Sequence, residues 1–164
     1  MAMSLVVCLL VWSGLSPVQT TIDRILAVVN GDPITLSDVR AARTLKLVPA
    51  DATDVAVVET LVERRLVLTE MRRFQAPEPT PEVLAARRAE WSRQVAGTQS
   101  EKLAEAAGVG AGYVDRWLTD DLRREAYLQQ RFAALDAGRR ADAVRLWIDG
   151  LRVRADVVYR LQRF

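Results

Sequence analysis

The stretch 22-IDRILAVVNGDPITLSDV-39 carries three structural instructions in sequence. Five apolar residues run unbroken from Ile25 to Val29, rich in branched side chains, and predict a strand buried on both faces. Asn30-Gly31 suits a tight turn with positive φ, and Pro33 limits the next few residues to a short extended piece. Thr35 with Asp38 three positions on then has capping-box spacing, and Ile34 and Val39 are placed as a hydrophobic staple, so a helix begins here and runs to about Leu47. A largely helical chain thus opens with a buried strand that needs a partner for its backbone groups.

The partner lies at the other end. "VRADVVYRL" (153–161) alternates Val153, Ala155, Val157, Tyr159 and Leu161 against Arg154, Asp156 and Arg160, with only Val158 breaking the period of two. Everything between reads as helix. A second helix from Asp51 or Thr53 to about Phe74 carries Val55, Val58, Leu61, Val62 and Leu66 in one stripe, with Val57 and Leu68 on another face, and is central. Thr80 and Pro81 start a third, to about Ala96, polar apart from Leu84, Trp91, Val95 and several alanines. A short helix spans Ser100 to Ala107 and stops at Gly108. A long one begins at Tyr113 and runs to about Leu135, with Asp120 paired to Arg123 and Arg124 on its wet side. After a break at Asp136-Ala137-Gly138, Val144, Trp147, Ile148 and Leu151 form a narrow stripe, with Trp147 in the core. The expected fold is mainly α, with a small two-stranded sheet that pairs the N- and C-terminal strands.

Length and composition bound the function. The 164 residues, half of them hydrophobic, suffice for one sizeable core. Charged residues are 27% of the chain and nearly balanced at +2, which argues against both disorder and a strongly basic nucleic-acid binder. The cations are 21 arginines against Lys46 and Lys102. There is no histidine, and Cys8 is the single cysteine, so the usual general base and the commonest metal ligand are missing. No carboxylate cluster has calcium-loop spacing, and neither a phosphate-binding glycine loop nor a G-x-S-x-G elbow occurs. Neither an enzyme nor a metal or cofactor site is expected.

Residues 3–15, "MSLVVCLLVWSGL", are apolar and uncharged, and thirteen of them are short of the roughly 20 needed to span a bilayer. Residues 1–20 read as a signal peptide, with a buried helix or a membrane anchor as alternatives. The remainder, 21–164, reads as one domain closed by the helix and strand of 139–164. Cleavage would leave a mature chain with no cysteine and so no disulfide.

The order of these elements resembles that of SurA-like periplasmic chaperones. "IDRILAVVNGDPITLSDV" is similar to the opening of their N-terminal domain, "VVETLVERRLVLTEMRRFQ" to its long second helix, and "EKLAEAAGVGAGYVDRWLTDDLRREAYLQQRF" to its short helix, glycine break and long helix. "AVRLWIDGLRVRADVVYRL" is similar to the closing helix and strand. The family usually carries parvulin-type prolyl isomerase domains before that closing helix. Here only a few residues around Asp136 to Gly138 occupy the place, and the histidines common at parvulin sites are absent. The resemblance implies a periplasmic, ATP-independent holdase without isomerase activity, whose clients are unfolded secreted or outer-membrane proteins.

Such a function needs exposed apolar and aromatic surface that binds weakly. Leu84 and Trp91 on the third helix, and Tyr113, Trp117 and Tyr127 on the long one, are the candidate client-binding residues; each also has the spacing of a core position. A second possibility is a non-catalytic adaptor or structural subunit docked on a dedicated envelope partner, such as a separately encoded isomerase. A third is a nucleic-acid binder built on the doublets Arg64-Arg65, Arg72-Arg73, Arg87-Arg88 and Arg123-Arg124, against which the near-neutral charge and the export signal both count.

Overall fold

The computed structural model describes residues 23–74, 78–95, 100–110 and 112–160; the expected signal peptide lies outside them. Among these residues the chain is mainly helical, with six helices and one small antiparallel sheet. The strands are β1 (Ile25–Val29), β2 (Asp32–Thr35) and β3 (Val157–Tyr159), in the order β2-β1-β3. The helices are α1 (Leu36–Thr44), α2 (Asp54–Met71), α3 (Pro81–Gln94), α4 (Ser100–Ala106), α5 (Tyr113–Arg131) and α6 (Ala137–Arg154).

The terminal strands pair as expected: Ala27 faces Tyr159, Val28 faces Val158 and Val29 faces Val157. The ladder is tied at both ends, by Asn30 N–H donating to the Asp156 carbonyl at 2.8 Å and Arg160 N–H donating to the Leu26 carbonyl at 2.8 Å. The sheet has three strands, not two. Asn30 and Gly31 both take positive φ, 51° and 87°, which is the two-residue hairpin geometry that lets the chain double back, so the extended piece around Pro33 pairs with β1. Pro33, which has no N–H, is tolerated because β2 is an edge strand. One bulge between Ile25 and Ala27 breaks the register, and Leu26, Ala27 and Val29 are all buried.

Both limbs of the capping box at α1 form: Asp38 N–H donates to Thr35 Oγ1 at 3.3 Å, and Thr35 N–H donates to Asp38 Oδ2 at 2.8 Å. Ile34 and Val39 lie buried in one cluster. Thr53, Thr80 and Asp136 cap α2, α3 and α6 through their side-chain oxygens, each accepting from the N–H three residues on.

Four readings of the sequence are corrected. Asp136 is a cap, so Gly138 sits in the first turn of α6 and the closing helix begins at Ala137. That helix runs to Arg154, so Val153 is a helical residue, 87% exposed, and β3 covers only three residues of the alternating stretch. Val55 stands outside the α2 stripe, exposed near the helix start. Trp147 is half-buried at the margin of the core.

Two apolar clusters hold the elements. The larger joins the sheet to α2, through Val57, Val58, Leu61, Val62, Leu66, Val67 and Met71, with Tyr127 of α5 and Leu151 of α6. The smaller joins Ala41 and Leu45, at and just past the end of α1, to Trp91 and Val95 at the end of α3 and Val114 and Leu118 of α5. Each fully buried Val or Leu contributes roughly 1.5–3 kcal/mol. Helix α5 belongs to both clusters, so its first half is where the two meet.

Candidate functional site

The packing of α2 also carries Arg64 into the interface with α5, where it is the single buried charged residue among those described, 7% exposed. A buried cation requires partners on every side. The guanidinium donates to Asp121 Oδ1, donates to the Trp117 carbonyl at 2.9 Å, and lies 3.6 Å from Asp120 Oδ2. It also stacks 3.9 Å from the centroid of the Trp117 ring. Burial lowers the Arg64 pKa while Asp121 and Asp120 oppose the shift. Burial raises that of Asp120, with Arg64 opposing. Asp120 therefore faces Arg64, and the pairing expected on the wet side of α5 is made by Asp121 with Arg124 at 3.5 Å.

Beside this locked pair lies a cavity of about 280 Å³ between α2 and α5. Ile34, Leu61 and Leu68 supply apolar surface, Tyr113 and Trp117 supply aromatic surface, and Arg65, Arg72 and Arg116 add guanidinium groups. Both aromatics are half-buried, their ring centroids 6.2 Å apart and inclined by 33°. Burial raises the Tyr113 phenol pKa, and Asp38 adds to the rise. A second hollow of about 540 Å³ lies between α3, α4 and α5, and Tyr113 and Trp91 both border it. These surfaces suit an apolar group flanked by a hydrogen-bond acceptor. Among the described residues no group of three His, Cys, Asp or Glu side chains is placed to hold a metal ion.

The five residues singled out from the sequence do not form one site. Tyr113 and Trp117 are together at the α2–α5 cavity. Leu84 is half-buried against the smaller cluster. Trp91 is 5% exposed, and its indole N–H donates to the Leu45 carbonyl at 2.8 Å. It is core, because α3 turns Trp91 inward while Val83 stays exposed, and ties its polar flank to α5 with ion pairs. Arg87 grips Glu125 with two hydrogen bonds of 2.9 and 2.7 Å, and Arg88 meets Asp115 at 2.6 Å. Tyr127 is core as well, 7% exposed, in a chain of rings with Phe74 at 6.0 Å and Trp147 at 5.9 Å.

The arginines of the cavity are what a search for apolar surface passes over. Arg65 and Arg72 belong to doublets and Arg116 stands alone, and the helix faces become known only once α2 and α5 are packed. Most of the doublets are joined within the molecule: Arg65 to Asp32 at 3.2 Å, Arg73 to Glu70 at 3.4 Å and Arg123 to Glu78 at 3.2 Å. No helix among the described residues is long and apolar enough to cross a membrane. Comparison of the chain with protein-family models and with curated proteins returns no match.

Proposed function

We propose that the chain is an ATP-independent periplasmic holdase for unfolded secreted or outer-membrane proteins, SurA-like in its organisation and without isomerase activity. The observation that carries the reading is the cavity between α2 and α5, where Tyr113 and Trp117 stand half-open over Ile34, Leu61 and Leu68. An apolar floor of this size takes one or two client side chains at a time, which suits weak and reversible capture. The pairing of the terminal strands supports the resemblance in organisation, and most arginines of the doublets are held in internal ion pairs, which counts against a nucleic-acid surface built on them.

Light scattering tests it. An unfolded outer-membrane barrel protein is diluted from denaturant with and without the full chain, in the absence of nucleotide. Suppression of scattering near stoichiometric ratio is expected, reduced by Tyr113→Ala and Trp117→Ala in chains that remain folded. Trp91→Ala and Tyr127→Ala are unsuitable probes, since both rings are buried.

The adaptor reading has an observation of its own. Leu146 and Val153, two turns apart on one face of α6, are 71% and 87% exposed, two apolar side chains uncovered among the described residues. No suppression by a folded chain would favour a dedicated partner on this face, to be sought by co-purification from envelope extract.

A further inference from the structure

We propose that the α2–α5 groove selects in-chain polypeptide segments in which an acidic residue adjoins an apolar one, the apolar side chain on the floor and the carboxylate on a guanidinium at the groove's edge, Arg72 or Arg116. This rests on the holdase reading and names its preferred client chemistry.

The charge inventory of the groove carries the argument. Arg64 is committed to Asp120, Asp121 and the Trp117 ring, and Arg65 to Asp32. The two carboxylates in the lining are also engaged: Asp38 in the α1 capping box and Asp120 toward Arg64. Arg72, the C-cap of α2, and Arg116 on α5 line the same cavity, are exposed, and make no side-chain ion pair or hydrogen bond among the described residues; Arg72 is near enough to Asp120 to oppose the rise in its pKa. The groove therefore offers two guanidinium groups outside any ion pair, Arg72 near Asp120 and Arg116 beside Gly112, at the edge of an apolar and aromatic floor. A guanidinium presents a planar fork of donors that matches a carboxylate, and a partly desolvated site strengthens that bond.

The shape distinguishes a segment within a chain from a chain end. A separate, smaller hollow of about 80 Å³ adjoins the cavity beyond Arg72, bordered by the same Leu68, Arg72 and Asp120 and by Met71 and Arg123. From Leu61 to Arg72 the α2 wall runs about 16 Å at the rise of an α-helix. That is the length of about five extended residues. The adjoining hollow beyond Arg72 leaves room for chain on both sides of a bound carboxylate.

Fluorescence anisotropy of labelled pentapeptides with blocked ends tests the proposal on the full chain. One peptide alternates Leu, Glu and Phe; a second has Gln for Glu; a third is the Gln peptide with a free C-terminal carboxylate. The Glu peptide is expected to bind about tenfold more tightly than the Gln peptide, the worth of one charge-assisted hydrogen bond. The advantage should disappear in the double variant Arg72→Gln, Arg116→Gln, whose two exposed sites leave the core untouched. Equal binding of the Glu and Gln peptides, or an advantage that survives in the double variant, would overturn the carboxylate preference and leave the holdase reading standing. Rescue of the Gln peptide by a free C-terminus would overturn the in-chain assignment. Failure of all three peptides to bind would sink both the preference and the groove as a client site.

Discussion

Trp91 and Arg64 show how one side chain can join two elements. The indole of Trp91 fills the space between α1, α3 and α5 while its N–H satisfies the Leu45 carbonyl just beyond the end of α1. Leu45 is itself fully buried, so that carbonyl has no access to water to replace the bond. Trp91→Ala should cost about 3–5 kcal/mol, by loss of the ring and exposure of an unpaired acceptor. Urea unfolding measures it, and a loss below about 1 kcal/mol would mean that the ring packs loosely. Arg64 does the same for α2 and α5, with its charge surrounded by two carboxylates, a carbonyl and an aromatic face. Sequence gives no means of separating it from Arg65 beside it. The distinction arises because α2 packs on α5 at one angular position, which Arg64 occupies and Arg65 does not.

At the scale of the element, α3 is instructive. Its sequence has too few apolar residues for a conventional core helix, and it is held by a mixed interface: Trp91 and Val95 inward, Arg87 and Arg88 on α5. The Arg87 hydrogen bonds hold the Glu125 pKa below its ordinary value of 4.5. A carboxylate with a depressed folded-state pKa adds stability at neutral pH and loses it as pH falls through 4.5 and below. The expected contribution is under about 1 kcal/mol, because the pair is partly exposed and screened. Stability measured against pH in wild type and Glu125→Gln checks this: the two curves should converge at low pH and separate above it. Parallel curves would exclude the pair as a source of acid sensitivity. Asp120 works in the opposite sense, since burial raises its pKa and the folded state takes up its proton first. The caps of α1 and α3 are legible in the sequence because Thr35 and Thr80 act on N–H groups three residues away, whatever the rest of the chain does, whereas the start of α2 stood open between Asp51 and Thr53 until the structure placed the cap at Thr53.

Across the whole molecule, β3 closes the fold on β1, and a polar cluster reinforces the closure. Arg152 on α6 donates to Glu59 Oε2 at 2.7 Å, approaches Glu63 Oε1 at 3.4 Å, and donates to the Tyr159 hydroxyl at 2.9 Å; that hydroxyl in turn donates to Glu59 at 3.1 Å. The cluster ties α2, α6 and β3 together across about a hundred residues of sequence. Arg152→Ala should destabilise by about 1 kcal/mol, the effect shrinking in high salt as the ion pairs are screened. Urea titrations at two ionic strengths test this. A loss independent of salt would mean that the packing of the arginine stem, and not its charge, supports the clamp.

The chain alone determined whatever depends on near neighbours or strict periodicity: the β1 run, the Asn30-Gly31 turn, the caps of α1 and α3, and the pairing of the two terminal strands. The third strand was half visible, since the turn and the extended piece around Pro33 were legible and their pairing was not. The extent of α6 was also obscured, because Val153 fits the strand alternation while the helix in fact runs through it, and Ala155 fits both that alternation and the Leu151 stripe. Of the five candidate residues, Tyr113 and Trp117 reached a shared cavity, while Trp91 and Tyr127 were taken into the core. An aromatic at helical spacing has the same local signature in either place. Only the packing of α2, α3 and α5 decides which face is covered, and with it which arginines are spent on carboxylates and which, like Arg72 and Arg116, still face the groove.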